Sequence, residues 1–126
     1  MGLQGEALAP SSEGKILSKA VLRAAAYLDV KGTPLANVIG LSAPTLSRMR
    51  GGEYALERGS KPFELAVLFV RLFRSLDAIV GGDKAVARAW LRNRNTVIGE
   101  PPIDKIQTIP GLMDVIAYLD ARRALV

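Results

Sequence analysis

Apolar residues recur along this chain at three- and four-residue steps, and they are densest between Pro62 and Val80. At about 100° per residue, Leu65, Phe69, Leu72, Leu76 and Ile79 form one stripe. Ala66, Val70, Phe73 and Val80 widen it to roughly half the circumference, where a surface helix needs only about 100°. Glu64, Arg71, Arg74 and Ser75 supply a narrow polar strip. The pattern predicts a long helix that must be covered on more than one side. Leu65, Phe69, Leu72, Phe73 and Leu76 are therefore assigned to an interdomain or dimer core.

Before that helix, residues 1–13 mix Gly, Pro and Ser without periodicity and read as a flexible tail. From Gly14 a helical pattern begins, with Ile16, Leu17, Ala20, Val21, Ala24, Tyr27 and Leu28 on one face. It ends near Val30, and Gly32 punctuates the chain. Next, Thr33 and Pro34 open a short helix whose apolar face is Leu35, Val38 and Ile39. Gly40 permits a left-handed turn and Leu41 plugs the gap. Ser42 caps a second short helix with Leu46 and Met49 inward, stopped by Gly51-Gly52. Two short helices around a Gly-containing turn make a helix-turn-helix, a unit that also serves as a plain packing hairpin. Where it reads DNA, the second helix enters the major groove by its N-terminal end. Ser42, Ala43, Thr45 and Ser47 then face the bases, and Arg48 and Arg50 reach phosphates. Residues 52–61 read as a hinge or as a short helix at Tyr54–Arg58.

After the long helix, Gly81-Gly82 closes it and Asp83 caps another, with Val86, Ala89, Trp90 and Leu91 inward. Trp90 is expected in the core. Arg88 and Arg92 lie four apart and Arg94 follows, either as a solvated face or as a basic patch for an acidic partner. Asn93, Asn95, Gly99 and Pro101-Pro102 mark turns, and Ile103, Ile106 and Ile109 anchor a short helical turn. Gly111 opens the last helix, with Leu112, Val115, Ile116 and Leu119 inward. Asp83, Asp104, Asp114 and Asp120 read as caps and surface charges. This gives an all-α chain divided at 14–60 and 61–126.

Composition narrows the chemistry. At 126 residues the chain is one domain or two small ones sharing a core. With no Cys and no His, thiol nucleophiles, the usual zinc sites and a histidine base are excluded. No carboxylate or lysine spacing promises a catalytic site, so no catalytic residue, metal or cofactor is assigned. The net charge of +5 allows an anionic partner, but the 17 basic residues are spread over the whole chain. No apolar run reaches membrane-span length, so no membrane partner is expected and the expected location is the cytoplasm.

Gly40-Leu41-Ser42, Thr45-Leu46-Ser47-Arg48 and Gly51 resemble the helix-turn-helix of Xre/Cro-like regulators. Ala43 and Pro44 stand where such families carry polar base-readers. The order Ala89-Trp90-Leu91, Asn93 to Asn95, Ile98-Gly99, Pro101-Pro102-Ile103, Thr108, Gly111, Val115, Leu119 resembles the toxin-binding domain of the MbcA/ParS/Xre antitoxins. Two departures are Arg94, where a Pro is common, and Arg123-Ala124, where an Ile and a Gly usually stand. The resemblance implies an N-terminal helix-turn-helix followed by a small helical toxin-binding domain. It further implies an antitoxin that occludes the active site of an NAD-depleting RES-domain toxin, represses its own operon at operator DNA, and forms homodimers and higher toxin–antitoxin complexes. The candidate toxin-binding residues are Arg88, Arg92, Arg94, Ile98, Ile103, Arg122, Arg123, Leu125 and Val126. The alternative is a stand-alone Xre-type repressor whose C-terminal half only dimerises.

Overall fold

Four helices begin on a side-chain oxygen that accepts a backbone N–H of the first turn. Ser42 accepts from Thr45, Ser60 from Phe63, Asp83 from Val86 and Thr108 from Gly111. Each cap satisfies an N–H that the helix itself leaves without a partner. The structure, a computed structural model, describes residues 12–125. Among them lie seven helices: α1 (Ser12–Leu28), α2 (Gly32–Ile39), α3 (Ala43–Arg50), α4 (Lys61–Ile79), α5 (Lys84–Arg92), α6 (Pro102–Lys105) and α7 (Ile109–Arg123). No strand occurs among the described residues. Most of the expected tail lies outside them, but Ser12 and Glu13 already belong to α1. Thr33 does not cap α2: the N-cap is Lys31, and no side chain closes that end.

The helix predicted from the apolar density is the centre of the molecule. α1 and α2 cover α4 from the N-terminal half, while α5 and α7 cover it from the other. Leu65, Phe69, Leu72 and Leu76 are buried within the chain's own core, each large side chain contributing roughly 1.5–3 kcal/mol. Phe73 is half-buried and meets Tyr27 edge to face, with centroids 5.1 Å apart. The half-circumference stripe is thus accounted for by one chain. What stays open on α4 is Val67, 46% exposed, beside a groove that Ile16, Leu17 and Ala20 of α1 also line. Ile16 is 67% exposed rather than inward, because the buried face of α1 runs through Gly14, Ser18, Val21, Ala25 and Leu28.

The polar strip of α4 is exposed at Glu64, Arg71 and Arg74 but anchors α7 at its C-terminal half. Ser75 is buried and donates to Asp120 of α7 at 3.1 Å, Arg71 pairs with the other oxygen of that carboxylate, and Arg123 donates to the Ser75 hydroxyl at 3.3 Å. Asp120 therefore ties α7 to α4 and is more than a surface charge. Residues 52–60 form neither a helix nor a free hinge. Leu56 is fully buried, and its N–H donates to the buried Ser18 hydroxyl at 2.9 Å, which itself donates to the Gly14 carbonyl at 2.7 Å.

In the second half Leu91 and Ile106 are buried as expected, while their predicted partners are less so. On α5 the fully buried positions are Ala87 and Leu91; Val86 and Ala89 face outward and Trp90 is only half-buried. On the α6–α7 corner Ile106 is buried, Ile103 half-buried and Ile109 half-exposed. Gly111 lies inside the first turn of α7, not at its start. A Cβ there would sit 1.9 Å from the Lys105 carbonyl oxygen, so only glycine lets α7 approach the end of α6 this closely.

Candidate DNA-binding and partner-binding surfaces

The turn between α2 and α3 depends on Gly40, whose φ of 69° places it in the left-handed region. Its N–H and that of Leu41 both return to the Ala36 carbonyl, closing the end of α2. Leu46 and Met49 then anchor α3 in the core, which leaves Ser42, Ala43, Pro44, Ser47, Arg48 and Arg50 exposed. Thr45 is half-buried and committed: it accepts from the Ser42 hydroxyl at 2.9 Å and from the Arg48 guanidinium at 3.0 Å. This chain of contacts folds Arg48 back toward the leading end of α3. The face combines small polar groups, an apolar Ala43-Pro44 corner and two cations. Such a face suits phosphate contacts better than a bidentate reading of bases.

The candidate partner-binding residues do not share one surface. Arg88 and Arg92 reach across to the end of α1. Arg88 donates to the carbonyls of Tyr27 at 2.8 Å and Ala26 at 3.0 Å. Arg92 donates to Leu28 at 3.1 Å, to Arg88 at 3.0 Å, and to Asp29. The last carbonyls of a helix have no intrahelical partner, and its C-terminus favours positive charge. α1 carries no basic residue in its last turn, so α5 supplies both. Both arginines serve that helix end, and Arg92 does so while exposed. Tyr27 adds to the joint by donating to the Gly82 carbonyl at 2.6 Å. Burial, then Asp77 beside it, raises the pKa of this phenol above its ordinary value.

Arg94 is spent within its own loop, donating to the Gly99 carbonyl at 2.8 Å. Asn95 accepts from the N–H groups of Val97 and Ile98 at 2.9 and 3.1 Å, which turns the loop and leaves Val97 73% exposed at its tip. Ile98 and Ile103 are half-buried against the core. At the other end, Arg122 and Arg123 diverge. Arg122 lies over the Tyr118 ring, whereas Arg123 faces α4 and the groove along Val67. Leu125 is 85% exposed, and Val126 lies outside the described residues.

Sequence reading placed Tyr27 on the apolar face of α1 but not its hydroxyl on Gly82, and it missed Tyr118 and the pair Asn37–Gln107, which joins α2 to the loop after α6 at 2.8 Å. Tyr118 stacks on Trp90 with centroids 6.1 Å apart and ring planes 19° apart. One usable signal was present: a helix ending without a cation, followed later by two arginines four residues apart.

A helix-turn-helix and a second helical unit built on one central helix define a DNA-binding regulator with an attached interaction domain. Residues 7–71 match the antitoxin Xre-like helix-turn-helix domain, and residues 75–124 match the antitoxin Xre/MbcA/ParS C-terminal toxin-binding domain. The chain belongs to this family of antitoxins. No curated protein matches it. No helix among the described residues is long and apolar enough to cross a membrane.

The clamp on α1 yields a direct expectation. Arg92→Ala lowers stability in equilibrium urea unfolding by about 1–2 kcal/mol, the scale of lost hydrogen bonds from a charged donor. Arg92→Lys recovers only part of it, because a single ammonium cannot span the same carbonyls. Unchanged stability in Arg92→Ala would show that these contacts hold nothing.

Proposed function

We propose that this antitoxin neutralises a RES-domain, NAD-depleting toxin through residues 61–126, and represses its own operon through the helix-turn-helix within 14–60. The observation that carries the reading is the union of the two matched domains on one shared core, with the leading end of α3 exposed on the first and the Asn95–Gly99 loop exposed on the second. The RES identity rests on the resemblance of the Trp90-to-Leu119 pattern. Neutralisation needs only steric exclusion at the toxin's cleft, so it asks no chemistry of this chain. The Ile98–Ile103 region and the terminal residues Arg122 to Val126 are the segments assigned to that contact. Arg88, Arg92 and Arg94 support it from behind by fixing α5 and the loop. A homodimer would present two recognition helices to half-sites about 34 Å apart.

Two measurements test the reading. Co-expressed with its neighbouring gene, the chain should co-purify with the product of that gene, and added chain should abolish NAD consumption by the isolated partner. NAD consumption that persists in the complex contradicts neutralisation, and a neighbour with no such activity removes the RES assignment. For the DNA half, Arg48→Ala should weaken binding to duplex from the chain's own promoter. It should also make the log–log salt slope shallower by about one phosphate contact. An unchanged slope takes Arg48 out of the phosphate contacts.

A further inference from the structure

The Trp90–Tyr118 pair belongs neither to the closed core nor to the clamp on α1. Both rings are half-buried, at the border where α5 meets α7. Arg122 extends the pair into a ladder: its guanidinium lies 5.7 Å from the Tyr118 centroid and donates to the phenol oxygen at 3.0 Å. Arg122 is exposed and stands outside the inward stripe of α7, which is Leu112, Val115, Ile116 and Leu119. Val86, one turn before Trp90, is 49% exposed, and Ala117 and Ala121 are exposed together along one side of Tyr118.

The ladder also connects the scattered candidate residues. One turn before Tyr118, Asp114 pairs with Lys105 at 3.7 Å, and the same ammonium reaches the Ile98 carbonyl at 3.4 Å. Lys105 thus ties the Asn95–Gly99 loop to Asp114, which stands one turn from Tyr118 on the helix that carries Arg122. These residues lie wholly within the matched toxin-binding region. Interfaces concentrate their energy in Trp, Tyr and Arg, placed centrally and ringed by less critical contacts.

Resting on the antitoxin reading above, we propose that Trp90, Tyr118 and Arg122 form the energetic centre of the toxin interface. The toxin meets them with an apolar side chain against the ring edges and Val86, and with a carboxylate on Arg122. A protein fits this surface better than a nucleic acid. Stacking between the two rings uses ring surface that a nucleobase would need, and Asp114 sits one turn away where phosphates would approach.

Trp90 is the only tryptophan, so the full chain labelled with 5-fluorotryptophan gives one fluorine resonance. Titration with the unlabelled product of the neighbouring gene should shift or broaden that resonance in step with complex formation on a sizing column. Tyr118→Ala and Arg122→Ala should each weaken the complex about 30-fold or more, the scale of a hot spot. Tyr118→Phe, which keeps the ring and loses only the hydroxyl, should weaken it far less. Thermal unfolding of each variant separates lost contact from lost fold, and the labelled wild-type chain reports whatever the variants do. A complex that forms while the resonance stays fixed overturns the ladder and leaves the antitoxin reading intact. A resonance that moves with promoter duplex and not with the toxin also overturns it. Failure of the two proteins to associate overturns both.

Discussion

At the C-terminal end of α1, backbone carbonyls that a helix cannot satisfy are met by two arginines reached over from α5. Unpaired carbonyls and an uncompensated helix dipole would both oppose burying that end. The same contacts fix three other things. They set the rotation of α5, so that Ala87 and Leu91 face the core and Trp90 falls at its edge. They press Tyr27 against Phe73 and Gly82, closing α1 onto the end of α4. They also join the helix that supports the DNA-reading hairpin to the domain that meets the toxin.

Both functional surfaces are therefore built on one body. α4 gives its stripe to α1 and α2 on one side and to α5 and α7 on the other, and Asp120 with Ser75 locks the last helix to it. The recognition hairpin rests on Leu65 through Gly40, where a Cβ would come within 3.1 Å of that side chain. Masking a toxin asks for a rigid surface, and operator binding asks for a fixed recognition helix. Neither task requires a titrating group.

The helices, their caps and the hairpin were legible because they are local. Periodicity located α4, and Ser42, Asp83 and Gly40 act within a turn of themselves. Which face of a marginally amphipathic helix turns inward is not a local matter. Val86, Trp90 and Ile16 fit the pattern as well as Ala87, Leu91 and Ser18 do, and the choice was made by the arginine clamp and by the Leu56–Ser18 hydrogen bond. The partner-binding residues were harder still. Arg88, Arg92 and Arg94 look alike in sequence, yet all three serve backbone carbonyls, while Tyr118 gave no signal until α5 was set beside it.

The shared helix and the clamp make the two matched domains a single cooperative unit. Scanning calorimetry of the full chain tests it most directly. The account predicts one transition whose calorimetric enthalpy equals its van't Hoff enthalpy. Two resolved transitions, or a van't Hoff enthalpy well below the calorimetric one, would contradict it. Either outcome would show that the DNA-reading and toxin-meeting halves fold independently.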